Sequence, residues 1–314
     1  MKLILKDHGF ILSKKTLLRT FEGEILIGSE VIDNYFASLN INPAVEITPY
    51  ASFLYVDDDN HLIKIKHDKN QVKTIYCMIK NAKLTRYFGT LSYDGSHYFG
   101  FQRQNNETSI QATLESVLNH LFQSPITIHA SGRTDKGVHS LMQPFHFDGV
   151  KKIPLKQLKT LINQMLPNDI KLKTLNEVPQ VFHARYDALE KTYQYRIDKT
   201  DNPFYAHYKA TVHNLDLEVF KENLMCFKGT HDFSNFSKSQ DKDNIRTIKT
   251  INIFETDTET VVEITGNGFL RYMVRMMIGA ALKLSKNMII EALNNPHTKV
   301  PKHVADACGL YLKE

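Results

Sequence analysis

His129-Ala130-Ser131-Gly132-Arg133-Thr134-Asp135-Lys136-Gly137-Val138-His139-Ser140 stands between two strand-like runs, Ile126 to Ala130 and Gln143 to Phe147. A polar, glycine-containing segment between two such runs reads as a β-β connection. Gly132 and Gly137 permit backbone angles that a Cβ disfavours, and they let a ligand come close to the main chain. Asp135 lies between them, with Arg133 and Lys136 as its charged chain neighbours. Nearby positive charge favours an ionised carboxylate. An ionised Asp on such a loop can serve as a nucleophile. Local composition also fits a solvated hairpin with a surface ion pair.

The elements on either side decide the fold class. Leu84 to Tyr93 reads as a strand. Thr108 to Phe122 reads as a helix, because Ile110, Leu114, Val117, Leu118 and Leu121 recur at helical spacing. Thr108 and Gln111 fit a capping box. After the two strands around the Asp135 loop, Pro154 opens a second helix that runs to Met165, and Ile170 to Leu175 makes another strand. The order is β-α-β-β-α-β, the split βαβ arrangement.

The order then recurs without a sequence repeat. Lys191 to Asp198 is a strand, and Leu217 to Phe227 is a helix with Asp216 at its start and Gly229 past its end. Thr247 to Phe254 and Thr260 to Thr265 are strands. Leu270 to Leu284 and Asn287 to Asn294 are helices, and Leu310 to Leu312 closes the pattern. The predicted fold is α+β: two halves with their sheets edge to edge, helices on one face and a cleft on the other.

Ahead of this lies a small α+β unit. Glu24 to Gly28, Ala51 to Val56 and Leu62 to Ile65 read as strands, and Val31 to Leu39 as a helix. Asp57 to Asn60 reads as a turn, His67 to Gln71 as the start of a linker, and Tyr76 to Ile79 as a last strand or connector. The domain expectation is therefore 1–82 for an accessory unit, 83–178 for the first half with the Asp135 loop, and 179–314 for the second half.

The net charge is +5 over 314 residues. Residues 1–82 hold ten Lys/Arg and ten Asp/Glu, so the excess sits in the other 29 Lys/Arg and 24 Asp/Glu. That imbalance favours a polyanionic partner without requiring one. No apolar run approaches membrane-spanning length. Charge interrupts the first apolar run too early for a signal peptide. Cys77, Cys226 and Cys308 are isolated, so neither a disulfide framework nor a zinc site is indicated, and a cytoplasmic setting is expected. There is no P-loop, no GxGxxG and no ligand cluster, so no cofactor is expected.

Gly-Arg-Thr-Asp-x-Gly-Val-His at 132–139, followed by Gln143 and His146-Phe147, resembles the active-site motif of the tRNA pseudouridine synthase A (TruA) family. Tyr93-Asp94-Gly95-Ser96 with Phe99-Gly100-Phe101-Gln102-Arg103-Gln104 resembles its first motif. Phe182-His183-Ala184-Arg185 with Lys191-x-Tyr193-x-Tyr195 resembles its middle motif. Asn267-Gly268-Phe269-Leu270-Arg271-Tyr272-Met273-Val274-Arg275 is similar to its third motif, and Gly309-Leu310-Tyr311-Leu312 to its close. The blocks come in family order and cover roughly residues 84–314.

The resemblance implies two ferredoxin-like halves flanking a basic cleft. It implies an isomerase that converts uridine to pseudouridine in tRNA at positions 38–40 of the anticodon arm, acting as a homodimer. Asp135 then corresponds to the family's catalytic aspartate, with attack on the ribose C1′ or on the uracil ring both open. Tyr193 corresponds to the active-site tyrosine, able to stack on the base or move a proton through its hydroxyl. Arg275 corresponds to the arginine that pairs with the Asp, with Arg271 one turn earlier on the expected helix. Arg133 is the expected phosphate contact beside an extruded base. Arg103, Lys136, Arg185, Lys191 and Arg271 can extend that surface. His139 and His183 read as supporting or core residues, and Gln102 and Asn267 carry no assigned role. Departures are Lys136 where the family commonly has Ala, Phe101 where Trp is common, and the N-terminal extension. A different class of function, an RNA-binding protein that keeps the scaffold but not the reaction, is disfavoured by the joint presence of Asp135, Tyr193 and Arg275. A synthase acting on another RNA remains compatible with the extension.

Overall fold

The computed structural model describes residues 11–19, 24–38, 44–47, 51–56, 61–68, 71–79, 84–150, 153–238, 243–296 and 300–313. The chain divides into two compact units. One comprises Met1–Thr85, Gly149–Lys151 and Pro179–Phe182; the other comprises Arg86–Asp148, Lys152–Val178 and His183–Glu314.

The first unit contains β1 (Leu17–Arg19), β2 (Ile25–Ile27), α1 (Ser29–Ser38), β3 (Ala44–Ile47), β4 (Ala51–Val56), β5 (His61–Asp68) and β6 (Gln71–Ile79). The six strands form a sheet in the order β2-β1-β6-β5-β4-β3. β1 runs parallel to β6, and the other neighbours are antiparallel. Leu18, Ile32, Ile65, Val72 and Ile75 are buried. Of the expected linker at 67–71, residues 67, 68 and 71 belong instead to β5 and β6, with Asp68 opposite Gln71, and residues 69–70 lie outside the described residues. A polar sequence at a strand end can satisfy its backbone through the ladder. The expected turn at 57–60 and the helix end at Leu39 lie outside the described residues.

The second unit is built on β7 (Leu84–Tyr93), α2 (Ile110–Phe122), β8 (His129–Ala130), β9 (His139–Val150), α3 (Leu155–Met165) and β10 (Ile170–Val178). It continues with β11 (Lys191–Asp198), β12 (Ala210–Thr211), α4 (Leu217–Met225), β13 (Gly229–Asp232), β14 (Ile245–Glu255), β15 (Glu259–Gly266), α5 (Met273–Lys283), α6 (Lys286–Asn294) and β16 (Leu310–Leu312). The fold is α+β, with a mostly antiparallel sheet in the order β10-β7-β9-β16-β11-β15-β14-β13. β8 pairs with β9, and β12 with β11. Both β10-β7-β9-β8 and β16-β11-β15-β14 run in the ferredoxin-like order fourth-first-third-second. The two join where β16 lies parallel to β9, with Tyr311 opposite His139 and Leu312 opposite Ser140.

Each half has its own core. Ile110, Leu114 and Leu118 of α2 and Leu158 and Ile162 of α3 bury their apolar stripes with Tyr87, Leu91, Phe145 and Phe147. In the other half, α4, α5 and α6 pack with Tyr195, Ile197, Val262 and Ile264. Alternation along β11 sends Tyr193, Tyr195 and Ile197 to one face.

Several element ends differ from expectation: β8 is only His129–Ala130, β9 already begins at His139, β10 runs on to Val178 and α4 ends at Met225, and three helix starts differ as well. Helix α2 starts at Ile110, and its cap is Ser109, whose Oγ accepts from the Ala112 N–H at 3.3 Å. Gln111 instead uses its side chain on Glu115, at 2.9 Å, and on the Arg103 N–H, at 3.1 Å. Pro154 is the cap residue of α3 and precedes its first turn. Helix α5 starts at Met273, because Tyr272 takes a left-handed conformation at φ 64°, which ends the preceding turn instead of continuing it. Arg271 is therefore a turn residue, and helical spacing does not place it beside Arg275.

Candidate active site

Residues 131–138 connect β8 to β9 and are tied down from several directions. The Ser131 N–H donates to the Pro144 carbonyl at 2.9 Å, and Gln143 Nε2 donates to Ser131 Oγ at 3.2 Å. The Phe101 N–H donates to the Thr134 carbonyl at 3.1 Å, and the Tyr93 and Thr134 hydroxyls share a buried hydrogen bond of 2.8 Å. The Val138 N–H closes a turn onto the Asp135 carbonyl at 3.1 Å. Gly137 supplies the positive φ of that turn, at 77°. Gly100 lies against the same loop with a positive φ, and a Cβ there would stand 2.7 Å from the Thr134 carbonyl oxygen. The first glycine-aromatic motif is thus the bed on which the loop rests.

The loop opens on a cavity of about 990 Å³. Asp135, Arg133, Tyr193, Arg271, Arg275 and Lys191 are among its lining residues. Arg275 Nη1 lies 3.8 Å from Asp135 Oδ2, and Arg275 Nε donates to the Ala305 carbonyl at 2.7 Å. Burial raises the Asp135 carboxyl above its ordinary value, while Arg275, Arg271 and Lys238 oppose that shift. The expectation that the flanking residues of the chain hold Asp135 ionised is thereby corrected. Lys136 places its Nζ 3.7 Å from the centroid of the Phe99 ring. Arg133 is exposed on the cavity lining. Successive side chains on an extended loop diverge, so the cations that act on Asp135 come from distant segments.

Tyr193 is buried, with its ring edge-on to Phe269 at 5.1 Å. Burial, and then the nearby Asp135 charge, raise its hydroxyl well above the ordinary tyrosine value. The group therefore stays protonated and presents an aromatic surface with an O–H donor.

Two residues of this site carried no assignment from sequence. Tyr272 gathers cations on its ring, with Lys238 Nζ at 4.5 Å, Arg275 Cζ at 5.0 Å and Arg271 Cζ at 5.5 Å from the centroid. Lys238 reaches it because its N–H donates to the Arg271 carbonyl at 3.0 Å. Tyr272 lay inside a quoted motif and was readable as a candidate; Lys238 had no sequence signal. Arg103 pairs with the buried Glu115 at 2.5 Å, so its charge is compensated. His139 is buried, accepts the Gly95 N–H at 3.1 Å and stacks on Tyr311 at 4.6 Å. His183 lines the cavity, its ring 4.5 Å from that of His146. Asn267 accepts the Thr247 N–H at 2.9 Å, and Gln102 is exposed on the lining. Among the described residues, no group of three or more His, Cys, Asp or Glu is arranged to hold a metal ion.

The arrangement offers one carboxylate for attack, an aromatic surface beside it, and a surplus of cations for a polyanion. The family model for tRNA pseudouridine synthase matches residues 90–187 and 225–314. A tRNA pseudouridine synthase A of an Exiguobacterium species is 40% identical over 230 residues, covering 71% of this chain and 94% of the relative. One from Limosilactobacillus reuteri is 38% identical over 242 residues, covering 72% and 94%. One from Mycoplasmoides gallisepticum is 36% identical over 250 residues, covering 77% and 93%.

Proposed function

The chain belongs to the tRNA pseudouridine synthase A family, and from that premise we propose that its Asp135 cavity isomerises uridines 38–40 of the tRNA anticodon stem-loop. The protein is an isomerase that makes pseudouridine in tRNA. Asp135 is the nucleophile toward a uridine extruded into the cavity. Arg275 orients and charges the carboxylate, Tyr193 packs on the base, and Arg133 holds the backbone beside it. The observation that carries this reading is the Arg275–Asp135 contact at 3.8 Å inside a cavity that Tyr193 also lines. Pseudouridylation breaks a glycosidic bond and rejoins the same base through carbon, so one carboxylate in a water-poor site suffices.

The enzyme works as a homodimer that binds tRNA across both subunits, in the cytoplasm. Cys226 and Cys308 are free thiols, which suits a reducing compartment. Among the described residues, no helix is long and apolar enough to cross a membrane. Residues 1–82 form an accessory unit, with 83–178 and 179–314 as the halves of the synthase domain.

The test is pseudouridine formation on unmodified tRNA transcripts, mapped at nucleotide resolution, with wild type beside Asp135→Ala. Product at 38–40 in wild type, and none with a variant that still binds tRNA, is the expected result. Full activity in the variant refutes the nucleophile. Product confined to another arm refutes the site of action. Sedimentation of the protein with and without tRNA checks the dimer.

A further inference from the structure

Lys191 opens β11 and points its ammonium at the Asp135 loop, where Nζ donates to the Ser131 carbonyl. Gly132 makes room for it, since a Cβ there would lie 3.1 Å from Nζ. A Cβ at 132 would press on the ammonium, so the glycine eases the close approach of the lysine, and no unusual φ is involved. Lys191 stands two residues before Tyr193 on the same strand, so both face the cavity that they line with Asp135.

A half-buried ammonium such as that of Lys191 is costly unless a counter-charge or a full set of acceptors meets it. Ser131 takes one of the three N–H donors. The charged neighbour that acts on Lys191 is a second cation, Arg185, which lines the same cavity. Among the described residues, neither side chain has a carboxylate within ion-pair distance. Two like charges on one cavity lining, Lys191 half-buried and Arg185 exposed, repel each other in the protein alone. They become favourable when an anion arrives between them.

We propose that Lys191 and Arg185 form a phosphodiester-binding subsite that grips the RNA backbone next to the uridine entering the Asp135 cavity. This rests on the reading of the cavity as an RNA-modifying site. A phosphate oxygen supplies the acceptor that the Lys191 donors lack, and a guanidinium can hold a phosphate through two parallel bonds. Lys191 also ties the ligand to the loop, because the same ammonium holds the Ser131 carbonyl. Phosphate capture and placement of Asp135 are then mechanically linked.

The protonation of Lys191 supports the assignment and supplies a test. Burial, and then Arg185, hold its amine down at about 8. A bound phosphate favours the ammonium, so tRNA binding takes up a proton when pH exceeds that value. Affinity must therefore fall as pH rises through about 8.

The experiment measures tRNA Kd for the full-length protein between about pH 6.5 and 9.5, and across salt, for wild type, Lys191→Met, Lys191→Arg and Arg185→Met, a range set to bracket the lysine transition. Wild-type affinity is expected to decline above about pH 8 toward the Lys191→Met level, and Lys191→Arg to abolish that step. Each Met variant should lower the slope of log K against log salt by about 0.7–0.9. If Lys191→Arg keeps the wild-type pH profile, or the Met variants keep the wild-type salt slope, Lys191 merely ties down Ser131 and the proposal is wrong. Pseudouridine formation by wild type on the same tRNA is scored separately. Product formation without any Lys191 dependence of binding overturns the subsite alone. A Lys191-dependent affinity without product overturns the functional reading and leaves the subsite standing.

Discussion

Arg275 holds Asp135 with one edge of its guanidinium and the Ala305 carbonyl with another, at 3.8 Å and 2.7 Å. The Ala305 N–H returns to the Arg275 carbonyl at 3.0 Å, so the segment before β16 and helix α5 clamp the arginine from both sides. A guanidinium can donate through Nε to the carbonyl while its other edge keeps positive charge beside the carboxylate. Arg275→Met is expected to lower the single-turnover rate by about 10²–10³-fold. Arg275→Lys should recover little of it, because the ammonium cannot reproduce the fork. A wild-type rate in Arg275→Lys would mean that charge alone matters here.

The acid limb of activity should sit above the range of an ordinary aspartate. Burial is the largest influence on Asp135 and raises its carboxyl; Arg275, Arg271 and Lys238 pull it back. Only the ionised form attacks, so the rate falls as pH drops through this raised value. Arg271→Gln removes one opposing cation and should shift the limb to higher pH. A pH–rate profile for the two proteins decides it, and an unmoved limb would sink the electrostatic assignment.

Asp135→Asn should abolish the reaction and stabilise the fold at neutral pH. The folded-state carboxyl is raised above its unfolded value, so the folded state prefers the protonated form. Ionisation therefore costs stability once pH exceeds the unfolded value. The Tm gain of the variant should vanish in acid below the ordinary aspartate range, where both states of the wild type are protonated. Thermal unfolding at neutral and acidic pH measures this, and a variant less stable than wild type at neutral pH contradicts it.

Tyr193 is expected to act through its ring. Its hydroxyl is held protonated by burial and by Asp135, and its ring packs edge-on to Phe269. Tyr193→Phe should keep the rate within about tenfold of wild type, the scale of a lost polar contact, whereas Tyr193→Ala removes the stacking surface and should lose far more. Equal losses in the two variants would point to proton transfer by the hydroxyl instead.

Gly95→Ala should damage the site from outside the cavity. A Cβ on Gly95 would lie 2.0 Å from the Val138 carbonyl oxygen and 2.6 Å from its carbon. Backbone cannot yield as a flexible side-chain end can, so the Asp135 loop must shift. Overpacking of this kind costs about 1–3 kcal/mol. The midpoint of chemical denaturation and the single-turnover rate should both decline, and a variant with wild-type values would show that the contact is relieved elsewhere.

Much of this was legible in the chain because it depends on periodicity and local chemistry. Strands β7 and β11 have the predicted ends, Leu84–Tyr93 and Lys191–Asp198. Helix α2 was legible from its stripe and α4 from the residues at its ends: Asp216 Oδ1 accepts the Val219 N–H at 3.1 Å. The start of α5 was not legible, because Leu270 and Arg271 extend the helical pattern while the backbone of Tyr272 breaks it. The hairpin at 67–71 was missed because a polar sequence does not reveal which backbone groups pair.

By itself the sequence determined the α+β order of elements, because short-range spacing and residue type carry that information, and its resemblance to the family pointed to Asp135, Arg133, Tyr193 and Arg275 as candidates. Beyond Arg275, which the resemblance already pairs with Asp135, only the tertiary structure decided what surrounds the carboxylate. Its charged chain neighbours were the wrong guide: Lys136 turns onto Phe99, while Arg275, Arg271 and Lys238 converge from the far half. Electrostatic influence depends on distance through space and on burial, and neither is a function of separation along the chain.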